Sequence, residues 1–254
     1  MFRPRVIPCL LLEGKGLVKT VKFKNPKYLG DPINAVRIFN EKETDELIFL
    51  DIKASEENRT VHLDIVRKLG DECYMPFAVG GGIRTIQSIK EIFRAGAEKV
   101  VLNTYAIQNP GFVKEAATVF GKQSIVVSID VKKKLFGKYE VYVYGGRKSA
   151  GRGPVEVAKM MQDQGAGEIM INSIDLDGTG EGYDLALIRQ IADAVNIPVI
   201  ACGGAGKPED LREAIFTGKA SAVAAGSLFV FHGKRRAVLI NYPTEQELTD
   251  LFRK

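Results

Sequence analysis

The sequence predicts one (β/α)8 barrel with a twofold internal half-barrel repeat, and three observations predict it. Eight short apolar runs alternate with stretches of helical periodicity, the pattern of parallel βαβ units. The length of 254 residues suits one such barrel, which takes about 250. The two halves also align on each other. Pro76 matches Pro198, Gly81-Gly82 matches Gly203-Gly204, Glu91 matches Glu213, Gly96 matches Gly218 and Val101 matches Val223, all at one separation. The same separation pairs Glu46 with Glu168 and Ile52 with Ile174.

In chain order the expected strands are Arg5–Leu11, Glu46–Asp51, Met75–Val79, Lys99–Leu102, Ser124–Asp130, Glu168–Asn172, Ile197–Ala201 and Ser221–Ala225. Helices are expected over Ile33–Asn40, Thr60–Leu69, Ile86–Arg94, Pro154–Gln164, Tyr183–Ala194 and Pro208–Phe216. Pro208 suits a first helical position, and Gly96, Gly165 and Gly218 read as helix stops. Glu13–Lys27 reads as a Gly/Lys-rich loop, and Lys132–Arg147 as a small hairpin arm with an alternating core at 138–144. Both follow strands at their C-terminal ends, where barrel active sites lie. No Ser/Gly/Pro-rich linker divides residues 1–254, so a single domain is expected.

Composition narrows the function classes. Apolar residues make up 45% and charged residues 26%, ordinary for a soluble globular protein. No apolar run approaches the roughly 18 residues of a membrane span, and the N-terminus lacks a signal-peptide pattern. Cys9, Cys73 and Cys202 are odd in number and far apart, with neither metal-ligand nor disulfide spacing. A reducing cytoplasm, no membrane partner, no metal and no cofactor are expected. The net charge is +5, but the basic residues are spread along the chain, with Lys132-Lys133-Lys134 the one tight run. That favours an anionic small ligand or an acidic protein over nucleic acid.

Two glycine clusters carry the ligand reading. Val79-Gly80-Gly81-Gly82-Ile83-Arg84 ends the third strand and Cys202-Gly203-Gly204-Ala205-Gly206-Lys207 the seventh. Glycine lets the backbone approach a ligand and aim N–H groups at it, and phosphate is the natural guest. The partner loops are Asn103-Thr104 after the fourth strand and Gly226-Ser227 after the eighth. Tight turns alone would explain one such cluster. Two at equivalent positions favour a ligand with an anionic group at each end.

Asp130 ends an apolar strand, faces the barrel mouth and is the candidate general acid or base. Asp51, Asp175 and Asp177 also end strands, with Asp177-Gly178-Thr179 reading equally as a turn. Lys19 is a candidate phosphate ligand or a solvated lysine. Aligning the first and fifth strands sets Leu11 opposite Asp130, so one strand end carries a carboxylate and the other does not. At the other face Arg5, Glu46, Lys99 and Glu168 each start a strand, either as solvated rim charges or as a ring of ion pairs. His62 and His232 have no catalytic or ligating companions and read as surface residues. Neither a Walker loop nor a dinucleotide fingerprint occurs.

With these residues in place, the chain resembles the cyclase subunit of imidazole glycerol phosphate synthase, HisF, a TIM-barrel protein. The resemblance runs from Arg5 to about Phe231. It rests on Gly30-Asp31-Pro32, the run 45–52, Val79-Gly80-Gly81-Gly82-Ile83, Val127-Ser128-Ile129-Asp130, the run 173–179 and Gly203-Gly204-Ala205-Gly206-Lys207. It implies a glutaminase (HisH-like) partner forming a heterodimer at the barrel bottom, and ammonia entering past a gate at Arg5, Glu46, Lys99 and Glu168. It implies phosphate sites at Gly82, Asn103 and Thr104 and at Asp177, Gly178, Gly203, Gly204, Gly226 and Ser227, above Asp130. The family's reaction uses aspartates at the ends of strands one and five. Here the first position is Leu11, which cannot transfer a proton.

A divergent branch, the WbuZ-like proteins of surface-glycan biosynthesis, is more similar still, sharing the Leu10-Leu11-Leu12 stretch and the run 16–23. That branch is thought to supply ammonia to a sugar amidotransferase making acetamidino sugars. The expected function is therefore ammonia delivery for sugar amidination. The alternative is the histidine-pathway cyclase (lyase) itself, with another group replacing the lost aspartate. A phosphosugar isomerase or aldolase would leave the four gate charges without a role, and a non-catalytic scaffold would leave Asp130 without one.

Overall fold

Each of the eight apolar runs forms a strand, and the strands close on themselves. The computed structural model describes residues 3–233 and 235–253. The barrel strands are β1 (Arg5–Glu13), β2 (Leu47–Asp51), β3 (Phe77–Gly80), β4 (Lys99–Leu102), β5 (Ile125–Lys133), β6 (Glu168–Ser173), β7 (Val199–Cys202) and β8 (Ala222–Ala225). Every neighbouring pair is parallel, and β8 returns to β1 with Ala222 opposite Arg5. In an eight-stranded ring β1 and β5 lie diametrically opposed. So do the β3–β4 and β7–β8 pairs, which places the two glycine clusters across the mouth from each other.

Side chains alternate inward and outward along each strand. Inward-facing Ile7, Ile48, Val101, Val126, Met170 and Ile200 form an apolar layer inside the barrel, thinned by Ala78, Ala222 and Ala224. Outward-facing residues such as Val6, Phe49, Val127 and Ile169 pack beneath the helices as a second, larger core.

Besides the one-turn helices Thr104–Gln108 and Ser227–Val230, the helices are α1 (Pro32–Glu41), α2 (Leu63–Glu72), α3 (Ile86–Arg94), α4 (Gly111–Phe120), α5 (Pro154–Asp163), α6 (Leu185–Ala192), α7 (Pro208–Phe216) and α8 (Glu245–Leu251). Their starts follow capping chemistry. The Asp31 carboxylate accepts from the Ile33 N–H at 2.7 Å, Thr85 Oγ1 from the Ser88 N–H at 3.1 Å and Asp184 from the Leu187 N–H at 3.0 Å. Gly96 and Gly165 end α3 and α5 in left-handed conformation, as their positions suggested. After α7 the left-handed residue is Lys219 rather than Gly218, because Gly218 is needed where a side chain would meet the Ala214 carbonyl.

Three features depart from the sequence expectation. Glu13–Lys27 is mostly strand: Gly16–Val21 and Lys24–Gly30 pair antiparallel and extend the end of β1. Lys22 and Phe23 turn it with positive φ, a role the sequence hides because neither is glycine. Helices α4 and α8 were also not expected. The second arm is the hairpin that the alternation predicted, with Tyr139–Val143 running antiparallel to the end of β5.

The C-terminal tail crosses back to the start of the chain. The Tyr242 hydroxyl donates to the Val6 carbonyl at 2.8 Å, its ring packs 5.4 Å from that of Phe229, and Arg212 Nη1 donates to the Leu251 carbonyl at 2.6 Å. Among the described residues no helix is long and apolar enough to cross a membrane.

Candidate functional site

The barrel floor is built by the residues that begin β1, β4 and β6 and the one that precedes β2. Arg5 Nη2 donates to Glu168 Oε2 at 2.7 Å, and Arg5 Nη1 to Glu46. Lys99 Nζ donates to Glu46 Oε1 at 2.9 Å and to Glu168 Oε1 at 2.8 Å. Each cation thus touches both anions, and the four make a closed ring of alternating charge beneath the apolar layer. Burial alone would push the Glu168 carboxyl up. The hydrogen bonds and charges of Arg5 and Lys99 outweigh it and hold the group below the usual carboxylate range. Arg5 is likewise held above its usual value, because Glu168 and Glu46 outweigh its own desolvation.

At the opposite end, one cavity of about 470 Å³ fills the mouth. It gathers Gly82, Asn103 and Thr104 from one side with Asp177, Gly178, Gly203, Gly204, Gly226 and Ser227 from the other. Asp130 and Leu11 both line it, from opposite strands. The two glycine clusters play matching steric roles. Gly82 and Gly204 both have positive φ, and a Cβ on either would overlap a backbone carbonyl oxygen, that of Arg59 or of Gly182. The described backbone offers no acceptor to the amide groups of Gly178, Gly204, Gly226 and Ser227, which leaves them for an anion.

Asp130 is buried at the end of β5. Asn103 Nδ2 donates to its Oδ2 at 3.0 Å, and Ser128 Oγ to its Oδ1 at 3.4 Å. Burial, helped by the nearby charge of Asp177 and opposed by these hydrogen bonds, pushes its pKa up to about 7. A carboxyl that titrates near neutrality can both give and take a proton. Leu11 offers nothing comparable across the mouth.

The remaining strand-end carboxylates are occupied. Asp51 is clamped by Arg59 at 2.5 Å and caps the Lys53 and Ala54 amides, and Asp175 accepts from the Lys133 amide at 2.7 Å. Asp177 takes Lys19 Nζ at 3.1 Å and Thr20 Oγ1 at 3.3 Å, both from the first hairpin, which folds over the mouth. Lys19 is therefore buried beside the second glycine cluster rather than solvated. His62 and His232 are exposed. Among the described residues no cluster of His, Cys, Asp or Glu could hold a metal ion.

Three cavity residues escaped the sequence reading. Asn172 sits in register with Asp130, and its buried Oδ1 has no partner. Cys9 and Cys202 meet inside the barrel. A hydrogen bond from Cys9, followed by burial, pushes the Cys202 thiol up and keeps it protonated. Period-two counting back from Asp130 and forward from Glu168 was the available signal, since it places Ser128 and Asn172 on the inward face.

Residues 5–235 match the family profile described as histidine biosynthesis protein. A Pseudomonas aeruginosa protein provisionally described as imidazole glycerol phosphate synthase subunit hisF2 is 52% identical over 98% of this chain and 99% of its own. A Vibrio vulnificus protein, provisionally described as subunit hisF3 of that synthase, is 47% identical over 97% of this chain and 95% of its own. The Alkaliphilus metalliredigens imidazole glycerol phosphate synthase subunit HisF is 45% identical over 91% of this chain and 92% of its own. Alike from end to end with these proteins, the chain belongs to the histidine biosynthesis family as a HisF-like subunit of a divergent branch.

Proposed function

We propose that this chain is the ammonia-receiving barrel of a glutamine amidotransferase complex that amidinates a surface-glycan sugar. A glutaminase docks on the floor and releases ammonia, which crosses the charged ring, moves up the apolar interior and leaves at the mouth for an acceptor held by a sugar amidotransferase. The observation that carries this reading is the closed ring of Arg5, Glu46, Lys99 and Glu168 beneath an apolar layer. An ion would have to shed its water to enter that layer, whereas neutral ammonia loses far less. The anion sites of the mouth fit a phosphorylated, doubly anionic ligand.

The second reading is the histidine-pathway cyclase, favoured by the name of the Alkaliphilus relative. Against it stands Leu11, because loss of one of two acid–base groups costs about 10²–10⁴-fold in rate. The two readings separate in a cyclase assay fed with ammonium salt in place of the glutaminase. Weak or absent turnover of the histidine-pathway substrate supports sugar amidination, and robust turnover overturns it. For the ring, Lys99→Met should depress glutamine-driven product formation and spare ammonium-driven formation. Equal loss of both would remove the gate from the account.

A further inference from the structure

The two halves of the mouth are closed by different devices. In the first half, the hydroxyl of Thr104 accepts the Tyr144 N–H of the second arm at 3.0 Å and donates to Asn103 Oδ1 at 3.1 Å, so its one proton is committed within the protein. In the second half, the equivalent place is reached by a cation. Arg236 Nη1 donates to the Gly178 carbonyl at 3.1 Å, and Arg236 Nη2 to Ser227 Oγ at 3.3 Å. Gly178 and Ser227 belong to separate loops, and both line the cavity.

The arginine is held for that reach by its surroundings. It is the turn residue directly before Ala237 of the short antiparallel pair Phe231–His232 with Ala237–Val238, and its guanidinium stacks on the Phe231 ring at 4.6 Å from the centroid. Two of its five N–H donors are used by the protein, which leaves three. A half-buried guanidinium braced on an aromatic face has lost much of its freedom beforehand, and its planar fork matches two phosphate oxygens. Among the described residues no carboxylate pairs with it: its two hydrogen-bonded partners are a carbonyl and a hydroxyl, both neutral. Lys19, a buried cation on this side, is already paired with Asp177.

We propose that Arg236 is a ligand-contact residue of the second anion site, donating to a phosphate group held by the loops that carry Gly178, Gly204, Gly226 and Ser227. The proposal rests on the phosphate reading of the mouth and adds to it a specificity. The β7–β8 half, with its arginine, takes the dianionic end of the ligand, and the half at Gly82, Asn103 and Thr104 takes the weaker-binding end. The chemistry recognised is a phosphate monoester of a small molecule, since the site lies in the recess of the barrel mouth rather than on a flat surface.

The test is titration of the folded full-length chain with inorganic phosphate and with fructose 1,6-bisphosphate, followed by phosphorus NMR, for wild type, Arg236→Gln and Arg236→Lys. Arg236→Gln should weaken both ligands by about tenfold or more, the scale of one charge-assisted hydrogen bond. Arg236→Lys, which keeps the charge and loses the fork, should fall between. Equal affinity in all three would show that Arg236 only clasps two loops, and would overturn the proposal. If the glutamine variant does not fold, the lysine variant decides: weaker binding supports the proposal and equality with wild type overturns it. Failure of the wild type itself to bind either probe would strike the phosphate reading first, and the role of Arg236 with it.

Discussion

Asp130 and Leu11 are one strand-end position in two states. Each ends an inward-facing series, Val126-Ser128-Asp130 on β5 and Ile7-Cys9-Leu11 on β1, and one ends in a carboxyl where the other ends in an isobutyl group. Burial raises the Asp130 pKa to about 7, above the roughly 4 of an unfolded aspartate. The folded state therefore binds the proton more tightly than the unfolded chain. The stability this contributes is complete below about pH 4 and is lost as pH rises through about 7. Asp130→Asn should remove that loss, so its melting temperature should gain on the wild type as pH goes from 5 to 8. A constant difference across that range would show that the carboxyl is not desolvated. The same substitution should lower ammonia-transfer turnover by about 10²–10⁴-fold if Asp130 moves the proton. Asp130 was legible in the sequence because an acid at the end of a wholly apolar strand is conspicuous. Asn172 was not, because a neutral amide one strand away carries no such contrast.

The elements that build the cavity fall into a rigid set and a projecting set. Strands and helices of the barrel follow the periodicity closely, and the hydrophobic pattern located all eight strands to within a few residues. The two arms follow different physics. The first was misread because its outer strand, Lys24–Gly30, is solvent-exposed, polar and contains Pro26, so no apolar alternation marks it. It is a strand because β1 continues past the barrel rim and pairs with Gly16–Val21, which in turn offers its free edge. The second was legible because Tyr139, Val141 and Val143 alternate inward over the core while Glu140 and Tyr142 do not. Its tip carries Leu135 and Phe136 fully outside, next to Lys133, Lys134 and Lys138. An apolar pair within a basic collar fits an acidic partner, which under the proposed function is the acceptor enzyme. Replacing residues 134–138 with a Gly-rich turn should leave the melting temperature unchanged, leave glutaminase binding intact and weaken acceptor-enzyme binding. Intact binding of both proteins, by sedimentation or calorimetry, would free the tip of this role.

For the molecule as a whole, the internal repeat was the strongest signal in the sequence, because equivalent halves must place equivalent loops across one axis. It also exposed one break in the symmetry, leucine against aspartate, but not the other, a hairpin amide against an arginine, because Arg236 lies beyond the repeated segments. The tail is another break. It reaches back to β1, where Tyr242 donates to Val6, and buries Tyr242, Leu248 and Phe252. Ending the chain at residue 240 removes three buried side chains and should lower the melting temperature by about 10 °C or more. An unchanged value would mean that the tail merely rests on the barrel. The junction of first and last strands joins residues more than two hundred positions apart, the costliest closure in the fold, and the Tyr242 bond to Val6 stitches the same seam from farther along the chain. A barrel left open at that seam has neither a complete pocket wall nor an enclosed apolar interior, so the ligand cavity and the inner core take shape in one event, when the first and last strands meet.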